Sequence, residues 1–401
     1  MSDDEALGQA WQHYHRTLEA GRAMVERTDR FREHPEDRAA AYVCLAEAQA
    51  MAYNFAVAPR PHSPRVYGQT TWLTDVYTLG GNDASNYYAA LFLDGRRTYR
   101  LTGRLGDIRI MTLQVSSHLS GSPGQRFIAN RELYASNVSA DGTFELIFSA
   151  APGTDQDVAL DADSDYNFVT IRRQMADWFD DEGELRLELI GETPGDDRFD
   201  AAEVTARIRR AADFYTYAIK EWVVGVYDYF KSRCGDKTNT VGFISSASPP
   251  DELALSPTTD YGFIIFDLPP DEAMIVEMEV PDGLYWSFQL FDVWGKSIDF
   301  MHHQSDINMH RAVIDTDERF RAVIASHDPG VPNWLDSNGH RRGVFIMRNY
   351  CASIHPAPAL RVVKAAELRK HLPADTPRIT SEQRRDALEH RRQGFLRLYN
   401  R

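Results

Sequence analysis

Cysteine is scarce in this chain. Cys44, Cys234 and Cys351 are far apart among 401 residues and form no C-x-x-C pair. An odd number of cysteines with no spacing framework excludes a disulfide scaffold and fits a reducing compartment. No apolar run approaches the length of a membrane span. The acidic start Met1-Ser2-Asp3-Asp4-Glu5 lacks the basic region and apolar run of a signal peptide. A cytoplasmic protein is therefore expected. Positive charge is also in deficit, with a formal net charge of -15. Phosphate-rich partners demand the opposite balance, so neither nucleic acid nor an anionic membrane surface is an expected partner. Nucleophile-elbow, Walker, dinucleotide-binding and zinc-protease motifs are all missing. Nicotinamide, flavin and nucleotide-triphosphate chemistry lose their support, and no cofactor is expected.

Apolar residues are not lacking. They make up 43% of the chain, with 11% aromatic, which is enough for well-packed interiors. The length suggests two domains with helical additions. The pattern along the chain predicts an α+β, mainly β protein. Two β-sandwich or jelly-roll-like domains, 61–196 and 237–365, are joined by a long helix over 197–236. A helical hairpin over 1–60 precedes them and a helical tail over 366–401 follows.

Leu7, Trp11, Tyr14, Leu18 and Val25 recur at helical spacing, as do Tyr42, Leu45, Ala48 and Ala52. Pro35 stands where a first-turn proline would open the second helix. Each helix has an apolar face that needs a partner, either the rest of the chain or a second subunit. Asp200-Ala201-Ala202-Glu203 reads as a capping box. Val204, Ile208, Ala211, Tyr215, Ile219, Trp222, Val226 and Phe230 mark the buried stripe of the helix that follows, and Gly235 ends it. The charged C-terminal helix, about Ser381 to Leu398, reads as a solvated surface element.

Strand signals fill the two β regions. Ile108 to Val115 is apolar and β-branched, Phe168-Val169-Thr170-Ile171 continues the rhythm, and Asp94-Gly95 suits a hairpin turn. Met274, Val276, Met278 and Val280 alternate with glutamates. Asp107-Ile108-Arg109-Ile110-Met111-Thr112-Leu113-Gln114 echoes Asp282-Gly283-Leu284-Tyr285-Trp286-Ser287-Phe288-Gln289. The echo predicts a shared topology, with Gln114 and Gln289 at equivalent strand positions.

The richest polar segment is His327 to Gly343. Pro329-Gly330 suits a type II turn and Asp336-Ser337-Asn338-Gly339 a hairpin. Trp334 would pin the loop, and His340 and Arg342 would begin a strand on one face. This holds Asp328, Asn333, Asp336 and His340 in a fixed arrangement, unless the Asp and Asn side chains only satisfy turn amides. A histidine beside a carboxylate is the usual general acid/base. His340 with Asp336 or Asp328 is therefore the candidate catalytic pair. A second cluster runs through Trp294, Ser297, Asp299, His302, His303, Gln304, Asn308 and His310. Its histidines have no metal-ligand spacing, so no metal is expected. In the first β region, Gly80 to Tyr88 is a polar loop entering a strand, and Arg172-Arg173 could anchor an anionic group or pair with nearby acids.

The segments Tyr285-Trp286-Ser287-Phe288-Gln289-Leu290, Trp294, Ser297 and Asp328-Pro329-Gly330-Val331-Pro332-Asn333-Trp334-Leu335-Asp336 resemble the bacterial domain of unknown function family 1214. The resemblance covers about Phe263 to Tyr350. The Asn82-Asp83, Tyr87-Tyr88 and Arg172-Arg173-Gln174 segments are similar to the related family 1254. The resemblance implies two β-rich domains joined through helices and supplies no reaction. Members commonly carry an aromatic-rich segment where this chain has Met301-His302-His303-Gln304, which implies a more polar ligand here.

Two readings follow. In the first, the protein is an enzyme without a redox cofactor, a lyase or hydrolase. It acts on a small polar organic molecule in a cleft between the β domains. His340 would be the acid/base, oriented by Asp336 or Asp328. Asn333, Gln289 and His303 would hydrogen-bond the substrate, Trp286 or Trp334 would stack on it, and Arg342 or Arg172 would bind an anionic group. In the second, the same surface belongs to a non-catalytic ligand-binding or assembly protein, a homo-oligomer through its N-terminal hairpin.

Overall fold

The computed structural model describes residues 2–68, 76–193, 200–244 and 258–399. The domain boundary expected at 196–197 falls outside them. The protein is α+β and mainly β, with four mostly antiparallel sheets, helices at the N-terminus and a helix at the C-terminus.

Strands of the first β region form two sheets. One holds β1 (Asn86–Leu93), β7 (Asn167–Gln174), β3 (Ile110–Ser116) and β4 (Phe127–Leu133), in that order. The other holds β6 (Val158–Ala159), β5 (Thr143–Ser149), β2 (Tyr99–Arg104) and β8 (Glu184–Leu189). Alternation lets each strand send one set of side chains between the sheets. Leu91, Leu101, Leu113, Leu146, Phe148, Val169 and Ile171 meet there in one buried cluster.

The second region repeats the plan. β13 (Asp306–Asn308), β12 (Tyr285–Phe291), β16 (Arg342–Tyr350), β10 (Thr259–Asp267) and β9 (Thr240–Ile244) form one sheet. β15 (Trp334–Asp336), β14 (Arg319–Ala325), β11 (Glu272–Glu279) and β17 (Ala359–Lys364) form the other. Ile264, Phe266, Met274, Val276, Trp286, Phe288, Phe320 and Phe345 fill the space between them.

Setting β1 against β10 and following chain order, every strand from β1 to β8 has its counterpart from β10 to β17. The order β1-β7-β3-β4 becomes β10-β16-β12-β13, and the parallel pair β5–β6 becomes β14–β15. The register agrees as well. Ile110 faces Gln174 and Tyr285 faces Tyr350, which puts Gln114 and Gln289 at the same position of β3 and β12. The short sequence echo thus marks a duplicated sandwich.

Helices fill the space between the two halves. α1 (Asp3–Glu26), the short α2 (Asp29–Glu33) and α3 (Arg38–Ala52) precede the first sandwich. A π-helical segment, Tyr53–Val57, extends α3. The connecting helix comprises α4 (Ala201–Tyr217), a π-helical segment (Ala218–Gly225) and α5 (Val226–Arg233). Asp200 caps α4 through the Glu203 amide, 2.7 Å away. The wider π turns alter the 3.6-residue phase. The buried stripe runs through Phe214, Ala218, Val223 and Tyr227 besides the expected Ala211, Tyr215, Ile219 and Phe230, while the expected Val204, Ile208, Trp222 and Val226 are only partly buried. One core cluster joins these helices to Phe92 and Phe168 of the first sandwich and to Phe263, Ile265 and Val344 of the second.

Several expectations need correction. Asp94-Gly95 is no hairpin, because β1 and β2 lie in different sheets. Asp336 to Gly339 likewise carries the chain from one sheet to the other, and β16 begins at Arg342, after His340. Trp11 and Tyr42 are exposed, and α1 buries the expected Val25 together with a narrower line of Ala10, Thr17 and Gly21. Small residues let α1 lie close on α4: a Cβ on Gly21 would come within 2.6 Å of the Tyr215 ring. The last helix, α6 (Ser381–Tyr399), is no free surface element. Arg397 donates to the Trp178 carbonyl of the first half, and Arg391 to the Phe300 carbonyl and the buried Asp306 carboxylate of the second. Phe395 packs on both Trp178 and Phe300. α6 straps the sandwiches together.

Candidate functional site

The inner sheets turn their second faces toward each other and toward the helices. A cavity of about 120 Å³ lies between them. That is roughly ten times what one water needs. Its apolar wall comes mainly from the helices: Phe55 and Trp222 from the two π segments, Phe214 from α4, and Val226, Tyr227 and Phe230 from α5. Phe168, Phe291, Val344 and Ile346 complete that wall from the strands. π segments recur at functional sites because the extra residue re-aims side chains.

The polar end is built from strands. On β7, Phe168, Thr170 and Arg172 share a face by alternation, and all three line the cavity. Arg173 points the other way, donates to the Tyr87 and Glu182 carbonyls, and is pushed down to about 10 by burial. Arg172 stands directly opposite Tyr88 of β1. In the second sandwich Arg348 of β16 stands directly opposite Tyr261 of β10. Both pairs sit one face position inward from the same strand ends, marked by Asn86–Gln174 and Thr259–Tyr350. The duplicated sandwich therefore presents the same arginine–tyrosine pair twice, to one cavity.

Arg172 donates to Gln114 at 2.9 Å. Arg348 donates to the Gly81 carbonyl at 2.7 Å and faces the Asp83 carboxylate at 3.5 Å. Burial pulls the Arg348 pKa down, but Asp83 outweighs it together with the surrounding phenols, and the guanidinium is held above its ordinary value. Burial raises the Tyr88 and Tyr350 phenols, so both stay protonated and can donate. Tyr88, opposite Arg172, accepts through its hydroxyl from the Asp83 amide at 3.0 Å, and Arg348 faces the Asp83 carboxylate, which puts the two guanidiniums at the same end of the cavity.

The polar loop that enters β1 is buried from Asn82 to Asn86, between the sandwiches. Asp83 accepts from the Ser85 amide at 2.9 Å, as a turn would have it, and from the Ser287 hydroxyl at 2.5 Å. Asn82 accepts from Ser297, and Asn308 donates to Ser85 and to the Met175 and Ala176 carbonyls.

Of the candidate catalytic and substrate-binding residues named from the sequence, Arg172 alone is among the described residues lining this cavity. Gln289 is fully buried at the same domain boundary, where it accepts from the Ala84 amide at 3.3 Å and reaches Ser305. Trp286 is core, packed on Phe288 and Phe320. Asn333 has its amide spent on Val313 and the Arg321 carbonyl. Trp334 donates to the Ala325 carbonyl under the Arg384 guanidinium. Asp328 caps its own turn at Gly330 and pairs with Arg384 of α6. Asp336 caps Asn338 and binds His303, not His340, at 2.8 Å. His340 lies in surface grooves with Asp292, Lys296 and His302 on one side and Asp37 and Arg342 on the other. Arg342 pairs with Asp37 at 2.6 Å. The expected catalytic group is thus divided between a His303–Asp336 pair and a separate His340 groove. Turn geometry, which set the expectation, fixes backbone direction and not which distant imidazole arrives.

Arg348, Tyr88, Tyr261 and Asn86 were missed. Extending the echo from β3 and β12 to the neighbouring strands would have aligned Arg172 with Arg348 and Tyr88 with Tyr261.

No protein-family model matches the chain, and no curated protein matches it. Among solved structures it is similar to an uncharacterised protein from Burkholderia cenocepacia, at 25% identity and a TM-score of 0.80 over 91% of this chain and 99% of that one. It is also similar to the VPA0106 protein from Vibrio parahaemolyticus, at 11% identity and a TM-score of 0.46 over 80% of this chain and 98% of that one.

Proposed function

We propose that this protein binds a small organic acid between its two sandwiches. The carboxylate faces Arg172 and Arg348, and the apolar body lies against Phe55, Phe214 and Trp222. The observation that carries this reading is the arginine–tyrosine pair repeated at one register and facing one cavity. Arginine in an enclosed, partly apolar site favours a planar carboxylate through parallel hydrogen bonds. Arg348 already faces Asp83, so its guanidinium suits a monoanion better than a phosphate dianion. The described lining residues offer guanidinium, phenol, hydroxyl and amide groups, without carboxylate, imidazole or thiol. Binding, with an apolar body in place of the more polar molecule first expected, is therefore the reading supported best. The segment that resembles family 1214 supplies Arg348 of the second pair, and Tyr261 lies just outside it.

Thermal shift and calorimetry with phenylacetate, benzoate and the neutral phenylacetamide test this. The acids should raise the unfolding midpoint and the amide should not. Arg172→Gln should weaken acid binding by about 10- to 150-fold, the loss of one charged hydrogen-bonding partner. Absence of any acid-specific shift in the wild-type protein, or unchanged affinity in Arg172→Gln, overturns the reading.

A further inference from the structure

Beside the arginines, Asn86 brings to the polar end of the cavity a hydrogen-bonding atom that the protein does not use, and further such atoms lie buried next to the lining. Asn86 is 3% exposed and lines the cavity. Its Nδ2 donates to the Tyr88 hydroxyl at 3.2 Å, while its Oδ1 has no partner. Gln174, directly opposite Asn86 on the next strand, is fully buried, and neither end of its amide is partnered. Directly opposite residues share a face, with Cβ atoms about 5 Å apart. The Thr112 hydroxyl, opposite Arg172, and the Thr259 hydroxyl, opposite Tyr350, are also buried and unpartnered. Folded proteins leave few such atoms, and these gather along the strand ends that flank the two arginines.

We propose that the bound acid carries a hydroxyl close to its carboxylate, and that Asn86 recognises it, backed by Gln174 directly opposite on β7. This rests on the acid-binding reading above and adds the substituent. With the carboxylate toward Arg172, a neighbouring hydroxyl comes beside the Asn86 amide, since Arg172 and Gln174 alternate onto the same face of β7. A hydroxyl donates and accepts. It satisfies the free end of the Asn86 amide in either orientation of that amide. An unsubstituted acid offers the Asn86 amide no hydroxyl, and sites built to bond a hydroxyl discriminate strongly against analogues that lack it.

Isothermal titration with matched acids tests the proposal. Both enantiomers of mandelate are compared with phenylacetate, and both enantiomers of 3-phenyllactate with 3-phenylpropionate. In the wild-type protein at least one hydroxy acid should bind about tenfold or more tighter than its parent. In Asn86→Ala and in Gln174→Met that ratio should fall toward one, while affinity for the parent acid changes little. If every pair binds equally to the wild type, the hydroxyl proposal is overturned and the acid-binding reading stands. If none of the acids binds, both fall. Should either variant fail to fold, the wild-type ratio and the other variant decide.

Discussion

Arg348 and Asp83 form an ion pair that crosses the boundary between the sandwiches, and removing it one partner at a time gives a sharp test. The Asp83 side chain is 0% exposed and that of Arg348 7%. Asp83 reaches in from the loop before β1, and Arg348 from β16. In Arg348→Met the carboxylate keeps only neutral donors, the Ser287 hydroxyl and the Ser85 amide. The Gly81 carbonyl also loses its partner. Breaking a buried pair in this way costs about 3–5 kcal/mol, most of it for the charge left behind. In Asp83→Asn the guanidinium keeps the Gly81 carbonyl, so the loss should lie at the lower end of that range. The double variant buries neither charge alone. It should be more stable than the sum of the single losses implies, by about 2 kcal/mol. Urea unfolding followed by tryptophan fluorescence at neutral pH supplies the three differences. A coupling below about 0.5 kcal/mol, the level at which distant sites already add, would refute the pairing and the inter-sandwich register built on it.

Two further outcomes are expected. A Cβ on Gly95 would lie 1.7 Å from the Asp161 carbonyl oxygen, so Gly95→Ala must displace backbone. It should cost about 3 kcal/mol in urea unfolding, the upper end of overpacking, and a loss under about 1 kcal/mol would contradict the contact. Burial raises the Asp306 pKa, but Arg311 at 2.5 Å and Arg391 outweigh it and hold the carboxyl below its ordinary value. A depressed folded-state pKa gives stability that is present above about pH 4 and lost as pH falls through the folded value. Asp306→Asn should therefore be less stable than wild type by about 3 kcal/mol at neutral pH, with the gap closing in acid. A gap that stays constant down to pH 2 would speak against the pairing.

The legible part of the fold lay in periodic patterns. Alternation located β11, and the capping residue Asp200 located the start of α4. Both signals are local, because pleat and helix cap each act over a few residues. The errors came where a local signal had a distant competitor. Asp94-Gly95 looks like a hairpin turn, but β1 found its partner in β7 and β2 found its own in β5 and β8. α6 looks solvated because arginine is counted as a surface residue. Here Arg384 and Arg391 are buried, spending their donors on Asp328, Gln304, Asp306 and backbone carbonyls.

The candidate site divides along the same line. Arg172 was readable because two adjacent arginines in an acidic chain stand out. His340 and Asp336 were readable as chemistry and misleading as a pair, since His303 arrives from another segment to occupy the carboxylate. By itself the sequence determined the β-rich class, the connecting helix and, through one eight-residue echo, the duplication. Only the tertiary structure decided that the two copies face each other. Facing is a matter of which sheet surfaces are left to bury once each sandwich has closed. The inner sheets close against helices and against each other, and that brings Arg172 and Arg348, 176 positions apart in the chain, to the same end of one cavity.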